Sequence, residues 1–251
     1  MSSTVSELRR AWAALEAGQF ADVEDFQGSG TTWTPAVGER VLPVVGAHNN
    51  AGASTLALAI ATVAEPARVV ECAPTTRSGL VGAATAELGP RDGWLRGTRD
   101  QVLLERWDDE NLLTSPPPLA SDLDLTVVDV GSRLPVHSVP PWLAESLGEV
   151  LPVVVVGDFS LPGVRRVQQA LSAPWGGSWV VALRGPRPQR SPRYLRRALD
   201  DIDSSLPLVH IPDDPRLRLR GVDTAPLPPL LLAAAQQILT VLEPAWRKEA
   251  P

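Results

Sequence analysis

The chain has 251 residues, of which 44% are hydrophobic and 21% charged, and its formal net charge is −6. The hydrophobic fraction excludes wholesale disorder, and a single cysteine excludes a disulfide scaffold and a cysteine-based zinc site. Three scattered histidines argue against a histidine metal cluster, and the negative charge argues against a general coating of nucleic acid. Of the 23 basic residues only Lys248 is a lysine, so a mechanism that requires a lysine in the body of the chain is excluded.

Residues 1–39 are predicted to form a short helix and a linker. Leu8, Trp12 and Leu15 recur at helical spacing within 6–20, whereas 21–39 is polar and rich in glycine. The helix could bind a partner, but packing on the main domain is the simpler interpretation. The chain shows no signal peptide and no apolar run of the roughly 20 residues that a membrane helix needs, so we expect a cytoplasmic protein without a membrane span.

From residue 40 onward, short β-branched runs alternate with segments of helical spacing. The predicted strands are 41–45, 68–71, 125–130, 151–156, 179–183 and 206–211. The predicted helices are 54–64, 78–88, 141–147, 164–171, 194–202 and 230–246. Such alternation is typical of a doubly wound α/β domain, with a mostly parallel sheet covered by helices on both faces. We assign this domain to 40–247 and a short tail to 248–251.

Two places fit this scheme poorly. Pro43 lacks the N–H group that a central strand donates to its neighbour. The segment 93–120 contains a run of three prolines and is predicted only as an inserted helix or strand followed by a loop.

Small residues connect the first predicted strand to the first predicted helix of the sheet. Gly46 ends the strand, and the segment 48–55 (HNNAGAST) leads into the helix. Small side chains let backbone N–H groups converge on an anion, supported by the positive end of the helix. The segment lies where α/β sheets bind their ligands. A phosphate loop is therefore favoured over the alternative, a plain strand-to-helix turn.

The segment 48–55 resembles the deviant phosphate loop of the ParA/MinD group of P-loop ATPases, whose pattern is K-G-G-x-G-K-[ST]-[ST]. Matched one residue at a time, the two family lysines fall on His48 and Ala53, and the magnesium-binding hydroxyl falls on Ser54. The other nucleotide-binding positions that the resemblance implies here are Asn49, Asn50, Gly52 and Thr55.

Later segments are similar to the same family in the same order. The strand 124–129 (DLTVVD) resembles one whose last aspartate supports magnesium, which implies a metal site at Ser54 and Asp129. The alternative, that Asp129 binds no metal and only accepts hydrogen bonds from neighbouring N–H groups, stays open. The segment 151–171 is similar to the strand, turn and helix that follow, and 210–216 resembles a late loop near the nucleotide base. The residues of that loop implied to bind nucleotide are Pro212 and Asp213.

The chain departs from the family pattern at three charged positions. His48 and Ala53 replace lysines, and Ala73 replaces the second, water-positioning acid of a V-D-x-D-P segment whose first acid matches Glu71. Phosphoryl transfer depends on these charges around the γ-phosphate. The resemblance and its departures therefore predict a pseudo-ATPase rather than an efficient enzyme, with ATP or ADP and Mg²⁺ bound or with no cofactor.

The predicted function is a degenerate ParA/MinD-like scaffold or positioning protein that acts through protein–protein contacts. It is similar to the pilus-assembly positioning proteins CpaE and TadZ or to partition and conjugation proteins, and the resemblance implies a homodimer. A slow Mg²⁺-dependent ATPase or nucleotide sensor, with Arg77 or Arg133 in place of the lysine, stays open. So does a DNA-associated accessory protein that uses the arginine-rich patch 184–197. The patch residues considered are Arg187, Arg190, Arg193, Arg196 and Arg197.

Overall fold

The computed structural model describes residues 33–36, 38–73, 75–108, 116–118, 123–132, 140, 142–144, 151–172, 177–186 and 192–249. The predicted helix at 6–20 and most of the predicted linker lie outside these residues. The division into 1–39, 40–247 and 248–251 therefore stays a prediction.

In the described part of the chain, nine strands form one sheet. The strands are β1 (Arg40–Gly46), β2 (Ala67–Glu71), β3 (Ala86–Arg91), β4 (Trp94–Arg99), β5 (Val102–Trp107), β6 (Leu125–Gly131), β7 (Val153–Asp158), β8 (Trp179–Gly185) and β9 (Leu208–Pro212). Their order is β3-β4-β5-β2-β6-β1-β7-β8-β9. All neighbours from β5 to β9 pair in parallel, whereas β3 and β4 extend the sheet as antiparallel strands.

Helices cover both faces of this sheet. They are α1 (Ala53–Val63), α2 (Leu161–Leu171), α3 (Arg193–Asp200), α4 (Pro215–Arg220) and α5 (Pro229–Glu249), and a 3₁₀ turn spans Thr75–Arg77. Side chains alternate along β1, so that Val44 joins the core beneath α1 and α5 while Val45 joins the core beneath α2 and α3. Burial on both faces explains the continuous apolar runs of the parallel strands. The predicted doubly wound α/β sheet is confirmed.

The predicted helix at 78–88 is wrong. Residues 78–85 form turns and bends, and β3 follows. Glycines at 79 and 82 make a helix costly here, because glycine is about 1 kcal/mol less favourable than alanine in a helix. Asp92 and Gly93 then form a two-residue hairpin turn with φ values of 51° and 83°. The poorly assigned segment after residue 93 therefore begins with two antiparallel strands, β4 and β5.

Pro43 is tolerated in β1 because only one of the two neighbouring strands pairs with β1 at this residue. It stands opposite Val128 of β6, whereas β1 pairs with β7 only from Val44 onward. The proline thus lies beside one partner strand rather than two.

The two edges of the sheet are β3 and β9. Pro90 lies within β3, whose pairing with β4 shifts register between Glu87 and Gly89, and Pro212 ends β9. None of the helices in the described ranges has the length and apolar content needed to cross a bilayer.

A buried ion cluster lies at the amino-terminal end of the parallel strands. Arg68 is 0% exposed. Its guanidinium forms ion pairs with Glu39 at 3.0 Å and with Glu105 at 3.1 Å, and its Nε donates to Thr126 Oγ1 at 2.7 Å. Because the cluster is at the opposite end of the sheet from the loop between β1 and α1, it supports the fold rather than the candidate site.

Candidate functional site

The loop that resembles a phosphate loop connects β1 to α1 at the carboxyl edge of the parallel strands. Its backbone passes through two left-handed residues, Asn50 with φ 61° and Gly52 with φ 100°. Leu56 N donates to Gly52 O at 2.9 Å, which starts α1, and no side chain caps this helix. The first N–H groups of α1 therefore lack a side-chain acceptor, as an anion-binding turn requires.

Neither of the two lysine positions supplies a free positive charge. Ala53 is buried in the first turn of α1. His48 turns toward the chain's own carboxylate, with its Nε2 3.3 Å from Asp158 Oδ2 at the end of β7. Its Nδ1 lies 2.8 Å from Asn49 O, and the Asn49 amide oxygen accepts a hydrogen bond from Ser132. His48 and Asn49 are thus engaged within the protein.

An arginine of the predicted surface patch reaches the loop instead. Arg184 Nη2, at the end of β8, donates to Asp158 Oδ1 at 2.7 Å. A Cβ built on Gly52 would lie 3.5 Å from Arg184 Nη1, so the guanidinium packs against the loop backbone. The sequence offered Arg77 and Arg133 for this role. Arg77 is exposed in the 3₁₀ turn, and Arg133 lies outside the described residues.

Two buried carboxylates lie side by side beneath the start of α1. Glu71 of β2 and Asp129 of β6 stand opposite each other in the parallel register, and both are 0% exposed. Asp129 Oδ1 accepts from Gly131 N at 3.0 Å, and the Ser54 hydroxyl also bonds to this carboxylate. Asp129 Oδ2 is buried and has no hydrogen-bond partner among the described residues. The two residues matched to the family's metal site are therefore brought together.

A turn after β2 covers these groups. Glu71 accepts from Ser78 Oγ at 2.5 Å and from Gly79 N at 2.7 Å. A Cβ on Gly79 would lie only 2.8 Å from Ser54 Oγ, so a side chain at this position would collide with the hydroxyl. Glycine is therefore required where this turn crosses Ser54.

Burial changes the acidity of both carboxyl groups. Desolvation, followed by the nearby charge of Asp129, raises the pKa of Glu71 to about 7. Desolvation raises the pKa of Asp129 to about 6, although the hydrogen bonds from Ser54 and Gly131 act in the opposite direction. The pair therefore retains protons at pH values at which exposed carboxyl groups are ionised.

The late loop lies farther along the same edge of the sheet. Pro212 ends β9 opposite Gly185 of β8, and Asp213 Oδ2 accepts from Arg218 Nη2 at 2.5 Å. The strands β7 and β8 separate β9 from β1 in the sheet. Thr55 is half-buried in the first turn of α1. Roles in nucleotide binding for Thr55, Pro212 and Asp213 stay predictions.

The side chains around Ser54 fit a hard divalent cation better than the loop fits a triphosphate. Ser54 and the orphaned oxygen of Asp129 would hold Mg²⁺, which prefers oxygen ligands. A triphosphate in the loop would instead lie near the carboxylate of Asp158, which contacts His48, without the two lysines of the family pattern. Near the loop, Arg184 is already paired with Asp158. The charge balance of the loop thus departs from what phosphoryl transfer requires.

The arginines of the predicted DNA patch form part of a broader basic face. On α3, Arg193, Tyr194, Arg196 and Arg197 are exposed, whereas its apolar side packs inward. The neighbouring α2 exposes Arg165 and Arg166 and is joined to α3 by a 2.9 Å hydrogen bond from Gln168 to the Ala198 carbonyl. We call these five arginines the basic face. Arg187 and Arg190 lie outside the described residues.

No family model and no curated protein matches this sequence, whereas solved structures match its fold. Apo McdA from Cyanothece is 13% identical, with 80% of this chain and 99% of that chain covered and a TM-score of 0.54. A putative plasmid partition protein from Borrelia burgdorferi B31 bound to AMPPNP is 11% identical, with 84% and 100% covered and a TM-score of 0.55. An ATP complex of a Cyanothece McdA variant is 14% identical, with 82% and 97% covered and a TM-score of 0.53.

Proposed function

We propose that this chain, which has the fold of the ParA/MinD group of P-loop ATPases, is a positioning or scaffold protein that does not hydrolyse ATP efficiently. It acts through protein–protein contacts, including a homodimer. The similarity of its fold to McdA and to a partition protein supports a positioning role.

The loss of three charged residues of the family pattern supports the proposed loss of ATP hydrolysis. The loop has Ala53 and a self-engaged His48 at the lysine positions, and Ala73 replaces the second acid. Loss of one preorganised donor to a transition state lowers kcat by about 10²–10³-fold. Loss of several charges around one phosphoryl group therefore reduces turnover to the background of the uncatalysed reaction.

A bound nucleotide is compatible with this proposal as a ligand rather than as a substrate. AMPPNP and ATP occupy two of the similar proteins. In this chain the uncapped start of α1 and the guanidinium of Arg184 would contact phosphate oxygens, and Ser54 with Asp129 would hold Mg²⁺. Nucleotide would then stabilise one arrangement of the protein for its partner.

Phosphate release from ATP is the direct test. We expect the wild type to release phosphate no faster than the Ser54→Ala/Asp129→Asn double variant, because both lack the lysine charges. Radiolabelled ATP with Mg²⁺ gives the required sensitivity. Release clearly above the double variant that is lost in Arg184→Ala would contradict the proposal. It would establish the slow ATPase, with Arg184 rather than Arg77 or Arg133 as the replacement cation.

Thermal unfolding separates a nucleotide-binding scaffold from one without a cofactor. Ligand at about 100 times its Kd adds about 2.7 kcal/mol to the free energy of unfolding, which corresponds to a midpoint increase of about 5–11 °C for a domain of this size. A midpoint that rises with ATP–Mg²⁺ in the wild type but not in Arg184→Ala would identify a nucleotide sensor. An unchanged midpoint would indicate a scaffold protein that binds no nucleotide.

The basic face favours a second candidate function, nonspecific binding to the phosphate backbone of DNA. Arg193, Arg196 and Arg197 have no ion-pair partner within the described ranges, and α2 contributes Arg165 and Arg166 to the same surface. A protein that neutralises about five phosphates loses roughly 10²–10³-fold in affinity between 50 and 200 mM salt.

For this candidate we expect duplex DNA to retain the protein at 50 mM salt and to release it steeply as salt rises. Combined Arg193→Ala, Arg196→Ala and Arg197→Ala replacements should abolish retention, as measured by fluorescence anisotropy. The matched control replaces three exposed arginines elsewhere and changes the net charge equally: Arg91, Arg216 and Arg220. Equal losses in the two triple variants would show a general charge effect and eliminate the basic face as the binding surface.

A further inference from the structure

The carboxylate of Asp158 is held from two sides beside the loop between β1 and α1. Asp158 ends β7 and stands opposite Arg184 in the parallel register of β7 and β8. Arg184 Nη2 donates to Asp158 Oδ1 at 2.7 Å, and His48 Nε2 lies 3.3 Å from Asp158 Oδ2. Each carboxylate oxygen therefore has its own nitrogen partner, one on a neighbouring strand and one in the loop itself.

The side chains that hold Asp158 are also those that face the loop. A Cβ built on Gly52 would lie 3.5 Å from Arg184 Nη1, which places the guanidinium against the backbone at the start of α1. No side chain among the described residues caps this helix start. His48 occupies the position that the resemblance gives to the first family lysine. The groups that would attract an anion to the loop are thus occupied by an anion of the chain itself.

A carboxylate is a suitable substitute for a phosphate group at such a place. Both present several oxygens that accept charge-assisted hydrogen bonds from a guanidinium. Asp158 is fixed to β7, so its carboxylate is present at the loop at a high effective concentration. Its side chain is 35% exposed and that of Arg184 is 25% exposed, so solvent reaches the pair. Pairs with this access are weak enough for a competing anion to displace.

We propose that Asp158 is an internal competitor that occupies the loop and restrains its binding of phosphate-type anions. An incoming phosphate group must first separate Arg184 from Asp158. The inference rests on the proposed function in one respect, that a nucleotide is a ligand of this loop, and it adds how that binding is regulated. Removal of the carboxylate should therefore improve binding, whereas removal of a favourable ligand contact would weaken it.

Isothermal titration calorimetry with inorganic tripolyphosphate and with ATP, at neutral pH in EDTA, tests the competition. We expect Asp158→Asn to lower the Kd for both about tenfold, the effect of an occupant that leaves its site in roughly one molecule in ten. Asp158→Ala should show the same gain without an amide that could bond to Arg184. Adding Arg184→Ala to Asp158→Asn should remove the gain. Asp92→Asn is the control, because it removes an equal charge at an exposed hairpin turn.

Two outcomes would overturn the proposal. One is an affinity in Asp158→Asn and Asp158→Ala no higher than that of Asp92→Asn, and the other is no binding of either probe by any folded variant at millimolar concentration. EDTA removes Mg²⁺, so ATP turnover does not enter these titrations. A wild type that hydrolyses ATP would therefore contradict the proposed function and leave this test readable. Unimproved binding in the Asp158 variants would contradict only the internal competitor.

Discussion

Replacing Arg68 with methionine is expected to lower the free energy of unfolding by about 3–5 kcal/mol, the usual cost of removing one partner from a buried ion pair. Arg68 is fully buried, and the side chains of its partners Glu39 and Glu105 are each 1% exposed. Methionine fills much of the volume but leaves both carboxylates in the interior without their shared cation. The guanidinium also lies 5.7 Å from the ring of Trp33, and this cation–π contact would be lost as well.

Urea denaturation at pH 8 measures this effect, and Arg91→Met is the matched control. Arg91 lies on the edge strand β3, where its ion pair with Asp92 has side chains 57% and 71% exposed. Exposed pairs contribute about 0–1 kcal/mol, so the control should change stability little. Burial already raises the pKa of Glu105, and Arg68 opposes that rise. The Arg68→Met loss should therefore be smaller at pH 5 than at pH 8, and a loss as small as that of the control would contradict the cluster's role.

Raising the pH from 5.5 to 8 without divalent cations is expected to lower the free energy of unfolding by roughly 2–3 kcal/mol through Glu71 and Asp129. Folding raises the pKa of Glu71 from 4.5 to about 7 and that of Asp129 from 3.8 to about 6. Between these values the folded state binds more protons than the unfolded state. The stabilisation is therefore complete below pH 4 and is lost as the pH rises through 6 and 7.

The variant Asp129→Asn isolates the carboxylate pair. It removes one of the two adjacent charges, so the protein should be about 1–2 kcal/mol more stable than the wild type at pH 8 and should depend less on pH. Denaturation curves in EDTA across pH 5.5–8 measure both effects. Asp92→Asn, which removes a carboxylate that is 71% exposed and paired with Arg91, should keep the wild-type profile. A pH profile that Asp129→Asn leaves unchanged would contradict the coupling of the two acids.

Much of the parallel sheet can be predicted from the sequence because its strands are buried on both faces. Each strand from β6 to β8 consists mainly of apolar residues, and such runs are visible without knowledge of any partner. The closeness of Ser54 and Asp129 was implied by the resemblance to the ParA/MinD group, and both residues lie where the parallel strands end. The prediction fails at the edge of the sheet, because β3 is exposed and polar and no apolar run marks it as a strand.

Contacts between distant segments account for what the sequence could not predict. Arg68 meets Glu39 and Glu105 only because three separate segments converge at one end of the sheet. Arg184 stands at the start of an arginine-rich run, which suggested a solvent-exposed patch. Its position at the end of β8 directs it across Asp158 to Gly52. Strand order, rather than local composition, decides both cases.

The prolines of the outer strands limit how copies of this chain can associate. Pro90 in β3 and Pro212 in β9 each remove an N–H group from a strand that would otherwise be open to β-augmentation, and the register shift in β3 disrupts that edge further. We therefore expect a second copy to continue the sheet poorly at either of these strands. This favours self-association through side chains of the helical layers or of the loops above the strand ends.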